Sequence, residues 1–143
     1  MSKLKTTLFT FLFSFSSQLS AQEEMLIVMQ KDTAVEQLSK SEVIDIFMGK
    51  YAAFPNGELA VPVEFIGSRE LKKIFYKQLI NRNLASVNAY WARLKFSGRK
   101  RTVVDKETIN DVISYLEKNP LAIGYIPASA MTSGLKVVYR LNE

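Results

Sequence analysis

Cysteine and histidine are both absent from the 143 residues. Their absence excludes disulfide staples, thiol nucleophiles, imidazole general bases and the usual zinc ligand sets. Acidic residues are scattered, and no two carboxylates sit at a spacing suited to paired acid–base work. No Gly-x-Gly-x-x-Gly, phosphate-binding loop or Asp-rich calcium loop occurs, and neither an internal repeat nor a low-complexity segment is found. This inventory supports binding rather than catalysis, with no metal and no cofactor expected. What is present is a globular balance of 48% apolar and 23% charged residues, enough to bury a core in one compact domain with at most a tail.

The tail is expected at the N-terminus. Lys3 and Lys5 form a positive start, Leu8 to Phe15 an apolar stretch, and Ser20-Ala21 a small-residue exit, the pattern of a secretory signal peptide over residues 1–21. The apolar run is too short to span a bilayer, and no cysteine follows it to carry a lipid anchor. The expectation is export across an inner membrane to the periplasm, with cleavage near Ala21 and a domain over residues 22–143. Removal of 1–21 takes two lysines and no acid, lowering the formal charge from +5 to +3. That mild excess suits a small anion, an acidic protein face or an anionic membrane surface.

Along the domain, Met25 to Met29 is a continuous apolar run that predicts a strand buried on both faces. Ser39 and Glu42 form a capping box before Val43, Ile44, Phe47 and Met48, so a helix is predicted over 40–48, ended by Gly49. Phe54-Pro55-Asn56-Gly57 marks a turn in a surface loop over 51–59. Ala60 to Ile66 reads as a strand, in which Pro62 suggests an edge or a bulge. Ser68 then caps a helix over 69–80, and Asn83 caps another that carries Leu84, Val87, Trp91 and Leu94. Trp91 and Phe96 both fit core positions. Asp105 is expected to cap a fourth helix over 106–118, stopped by Asn119-Pro120. Strands over 121–126 and 135–141, separated by a single helical turn at 127–131, complete the chain. Strands alternating with helices predict an α/β domain with a mixed sheet, helices on both faces, and a site at the strands' carboxyl ends.

Two triplets carry binding chemistry. Gly67-Ser68-Arg69 places a glycine, a hydroxyl and a guanidinium at a helix start, where free N–H groups favour an oxyanion. Ser97-Gly98-Arg99 offers the same groups on a loop. Each has a plain structural alternative, a helix cap in the first case and an interhelix turn in the second. Arg93, Lys95, Arg99, Lys100 and Arg101 cluster near Trp91 and Phe96. Nucleic acid is not expected as their partner, because the protein is exported and its net charge is modest. Ser97-Gly98-Arg99-Lys100 matches Ser-x-x-Lys but lacks the helix start, the larger domain and the two further motifs of penicillin-recognising enzymes.

Three segments taken in order carry a resemblance: Leu38-Ser39-Lys40-Ser41-Glu42-Val43-Ile44-Asp45-Ile46-Phe47-Met48-Gly49-Lys50, then Tyr90-Trp91 leading into Phe96-Ser97-Gly98-Arg99, then Asn119-Pro120-Leu121-Ala122-Ile123-Gly124-Tyr125-Ile126. Together they resemble the periplasmic phosphate-binding receptors of phosphate ABC transporters, and more closely the short single-domain exported relatives of those receptors. The resemblance implies a type 2 periplasmic-binding-protein fold, an exported location and oxyanion recognition by backbone N–H groups and hydroxyls without a metal. Departures accompany it. The transporter receptors have an arginine after a strand and Ser-Gly-Thr at the next helix start; here the stretch is Val63-Glu64-Phe65-Ile66-Gly67-Ser68-Arg69-Glu70. Gly67 and Ser68 match best, Arg69 stands in for the missing charge, and Glu64 and Glu70 would repel a dianion if they faced it. Most of the first lobe's phosphate-binding loops are absent too. Two readings follow: a non-catalytic receptor for phosphate or another small oxyanion at Gly67, Ser68 and Arg69 with help from Ser97, Gly98 and Arg99, or an interaction module that docks on an inner-membrane transporter or sensor or on a second copy of itself.

Overall fold

The computed structural model describes residues 23–141, so the expected export signal at 1–21 lies outside the described residues. The chain runs β1 (Met25–Gln30), α1 (Lys40–Phe47), β2 (Val61–Phe65), α2 (Arg69–Ile80), α3 (Leu84–Phe96), β3 (Val104–Lys106), α4 (Ile109–Lys118), β4 (Ala122–Pro127), a 3-10 turn (Ala128–Ala130) and β5 (Leu135–Arg140). Among the described residues five strands form one sheet in the order β3-β2-β4-β1-β5. β2 pairs parallel with β3 and β4, while β1 pairs antiparallel with β4 and β5. The mixed sheet is the expected one.

The apolar run of β1 is explained by its place. Met25, Ile27 and Met29 pack on one face with residues of α1, α2 and α3; Leu26 and Val28 pack on the other with Val112 and Leu116 of α4. A strand with period-two alternation and helices on both faces has no solvent side. Between β1 and β2, Ser39 Oγ accepts from the Glu42 amide at 3.2 Å and the Glu42 carboxylate accepts from the Ser39 amide at 2.7 Å, the predicted capping box. Gly49 takes φ +67° just past α1, as a helix end of this type requires. In the 51–59 loop Phe54 turns inward and is buried, while the Gly57 amide closes the turn on the Phe54 carbonyl at 2.9 Å.

Three expectations are corrected. The fourth helix begins at Ile109 rather than near 106, and its cap is Thr108, whose hydroxyl accepts from the Asp111 amide at 3.1 Å. Val104-Asp105-Lys106 instead forms the edge strand β3, because the open side of β2 offers it parallel ladder partners from Val63 to Phe65. Phe96, expected in the core, is 93% exposed at the last position of α3. Trp91 is half-buried; its ring lies 4.2 Å from the Arg101 guanidinium carbon and covers Gly49. Pro62 lies within β2, pairing with Ile123, but one residue before the β3 ladder begins at Val63. On that side the strand is still an edge there, and the missing N–H costs no ladder bond.

Candidate anion-binding site

The carboxyl ends of the parallel strands gather two helix starts at one edge. β2 leads through Ile66 and Gly67 into α2, and β3 leads through Glu107 and Thr108 into α4. The Ile66 amide donates to the Lys106 carbonyl at 2.9 Å. At Gly67 an added Cβ would fall 1.8 Å from the Glu107 carbonyl oxygen. No side chain fits there, so glycine is what allows the two connections to touch. Ser68 caps α2, its hydroxyl accepting from the Leu71 amide at 3.2 Å, and keeps its own proton to donate elsewhere.

Beside this helix start a cavity of about 220 Å³ is lined by Ile66, Arg69, Lys72, Leu84 and Asn88. Two cations and an amide line it, with no carboxylate among the described residues that do, and one of the cations, Lys72, is paired with Glu64 at 3.2 Å. Glu70, exposed in the first turn of α2, lies 3.9 Å from Lys73. Glu64 is the unexpected member of the neighbourhood. Val63 and Phe65 face α4, so the pleat turns Glu64 to the side of α2 and α3, where its side chain is 1% exposed. It is not left alone: Arg101 donates at 2.9 Å, Lys72 at 3.2 Å, and the Tyr76 hydroxyl makes a short hydrogen bond to it. Arg101 also donates to the Tyr76 oxygen at 3.1 Å.

Burial alone would raise the Glu64 carboxyl. The Arg101 hydrogen bond and charge, the Tyr76 hydroxyl and the Lys72 ammonium outweigh it and hold the carboxyl below the usual range. Glu64 is therefore an internal counter-ion at neutral pH. Burial, then the Glu64 charge, pushes the Tyr76 hydroxyl well up, so it stays protonated and donates. Burial works against Arg101, but its bond and charge pairing with Glu64 raise it overall. The carboxylate does face inward, yet its charge is consumed by Arg101 and Lys72 rather than presented to a ligand.

The second triplet lies elsewhere. Ser97 is the C-cap of α3 and donates to the Leu94 carbonyl at 2.7 Å; Gly98 follows at φ +82°. Arg99 lines a cleft of about 230 Å³ with Lys50, Lys100, Arg101, Thr102 and Trp91, and Gly98 and Arg99 line the groove next to it. Leu84, at the first cavity, and Ser97 stand at opposite ends of α3, about 20 Å apart at 1.5 Å per residue. Of the first triplet Arg69 lines the cavity while Gly67 and Ser68 stand next to it at the helix start, and none of Ser97, Gly98 and Arg99 lines it. Lys72, Asn88 and the Glu64–Arg101 pair were missed from sequence. A lone glutamate in the apolar strand Val-Pro-Val-Glu-Phe was the signal available, but its partner lies 37 residues away.

No protein-family profile and no curated protein sequence matches the chain. Solved structures do. An ABC-type phosphate transport receptor from Vibrio cholerae superposes with a TM-score of 0.64 at 14% identity, over 81% of this chain and 45% of that one. A candidate phosphate ABC transporter substrate-binding protein from Clostridium perfringens, solved with bound phosphate, gives 0.64 at 17% identity over 81% and 44%. A candidate phosphate-binding protein from Planctomyces limnophilus gives 0.56 at 15% over 81% and 40%. The chain spans less than half the length of these proteins. Within that span it has the α/β fold of the phosphate-transport receptors.

Proposed function

We propose that the protein is an exported, non-catalytic receptor that holds phosphate or a similar small oxyanion at the start of α2. The observation that carries this reading is the cavity beside Ser68, lined by Arg69, Lys72 and Asn88 with no carboxylate among its lining residues, at the carboxyl end of β2. Free N–H groups of a helix start, a hydroxyl and a guanidinium are the groups an oxyanion needs. The likeness to phosphate receptors supports the same ligand class. Gly67, Ser68 and Arg69 carry the binding, and Ser97, Gly98 and Arg99, which do not line this cavity, take no part in it. A ligand here stays open to water on one side, so affinity is modest compared with that of an enclosed site.

The test is thermal unfolding of residues 22–143 with millimolar phosphate, against sulfate and chloride at matched ionic strength. A ligand at 100 times its Kd adds about 2.7 kcal/mol of stability. Changing Ser68 and Arg69 together to Ala should remove that shift while costing the fold about 1–2 kcal/mol from the lost cap. A shift that survives the double change places the ligand elsewhere. No shift with any anion favours the docking reading, in which the edge bearing the exposed Ile66 meets a membrane transporter, a sensor or a second copy.

A further inference from the structure

Charge is distributed unevenly along the chain. Residues 71–104 contain nine lysines and arginines and no acidic residue, whereas the remainder contains ten basic and fourteen acidic ones. This stretch is α2 from Leu71 onward, α3 and the connection to β3, and the fold gathers much of its charge at the carboxyl end of α3. Lys50, Arg99, Lys100 and Arg101 line one cleft; Lys95 joins the last three in the adjoining groove; Arg93 and Lys50 share a third. None of these three depressions has a carboxylate among its lining residues. The patch is continuous because neighbouring depressions share residues. Arg101 alone is committed inward, to Glu64.

Two large aromatic side chains at this patch are mostly exposed. Phe96, between Lys95 and the Ser97 cap, is 93% exposed, and Tyr51, next to Lys50, is 65% exposed. Exposed aromatic side chains set among lysines and arginines match a bilayer interface, where the ring enters the headgroup boundary and the cations meet lipid phosphates. A single-stranded nucleic acid would instead need a row of stacking platforms. The other aromatics of the stretch are committed: Phe75 and Tyr76 are buried, Tyr90 donates to the Met48 carbonyl, and Trp91 covers Arg101.

We infer that this face, centred on Phe96 and the cations of the α3 carboxyl end, docks the protein on a bilayer of anionic phospholipid. Ser97, Gly98 and Arg99 line none of the cavity at the start of α2, although the two regions meet at Glu64, which pairs with Lys72 of that cavity and with Arg101 of the patch.

Co-sedimentation of residues 22–143, which include every element of the described fold, with lipid vesicles tests it. Binding is expected to vesicles containing phosphatidylglycerol and not to phosphatidylcholine alone, and to fall at high salt as the Debye length shortens. Changing Lys95, Arg99 and Lys100 together to Ala should weaken it about 100-fold, from roughly fivefold per cation. These side chains are exposed, so folding is retained, and circular dichroism checks it. Changing Lys31, Lys40 and Lys118 to Ala removes the same net charge from other surfaces and should leave most of the binding; Phe96→Ser should weaken binding to lipid without altering the salt dependence. Equal loss in the two triple variants, equal binding to neutral lipid, or no binding at all overturns the inference. Displacement by millimolar phosphate but not by sulfate of matched ionic strength would assign the lipid contact to the Ser68 site, and preferential capture of an oligonucleotide would assign the patch to nucleic acid.

Discussion

Replacing Glu64 with Gln separates its two effects, on stability and on charge. The side chain is 1% exposed and accepts from Arg101, Lys72 and Tyr76. Gln keeps the volume but removes the charge that two cations are built around. Removing one partner of a buried ion pair costs about 3–5 kcal/mol, because the other charge is left uncompensated. Lys72 and Arg101 retain 21% and 25% exposure and can turn toward water, which places the expected loss near the lower end, about 3 kcal/mol. For a domain of this size that is roughly 10 °C in Tm. Urea unfolding of Glu64→Gln against the parent protein measures it. Removing the buried polar set together, Glu64→Leu with Arg101→Met and Tyr76→Phe, should recover at least half of the loss, because apolar groups of similar volume replace a pair that was costly to desolvate and no buried hydroxyl is left unpaired. The freed Lys72 lines the cavity beside Ser68, so Glu64→Gln should also tighten oxyanion binding roughly two- to fivefold while weakening the fold. An unchanged urea midpoint, or a triple variant as unstable as the single one, would refute the view of Glu64 as a buried counter-ion.

Acid provides a second measurement on the same group. The folded-state pKa of Glu64 is depressed, so its stabilisation is present above the unfolded carboxyl value and is lost as pH falls through the folded one. Glu64→Gln should accordingly flatten the acid limb of the stability–pH curve. Gly67→Ala forces a Cβ onto the Glu107 carbonyl oxygen, a backbone contact that cannot rotate away; the expected cost is about 3 kcal/mol, read by urea titration. Gly49→Ala meets both φ +67° and the Trp91 ring at 2.9 Å and should lose about 1–2 kcal/mol, with a change in the fluorescence of the single tryptophan. Phe96→Ser removes an exposed ring and should leave Tm unchanged within the error set by about 0.5 kcal/mol.

Local signals in the sequence determined most elements of this fold. The capping box at Ser39 and Glu42, the caps at Ser68 and Asn83 and the glycine after α1 act within a few residues of themselves, and they hold in the structure. The unbroken apolar run of β1 implied burial on both faces, and helices on either side supply it. Tertiary structure decided what depends on distant partners. Val104 to Lys106 is a strand because β2 has an open edge, which overrides the helix-cap potential of Asp105. Phe96 is exposed because α3 ends there, at the rim of the domain, although its spacing suits a core position. Gly67, Ser68 and Arg69 adjoin at the start of α2 because they are neighbours in sequence, whereas Ser97 caps the carboxyl end of α3. The pairing of Glu64 with Arg101 joins residues 37 positions apart, and only the pleat of β2, which turns that carboxylate inward, and the path of the chain after α3 bring them together.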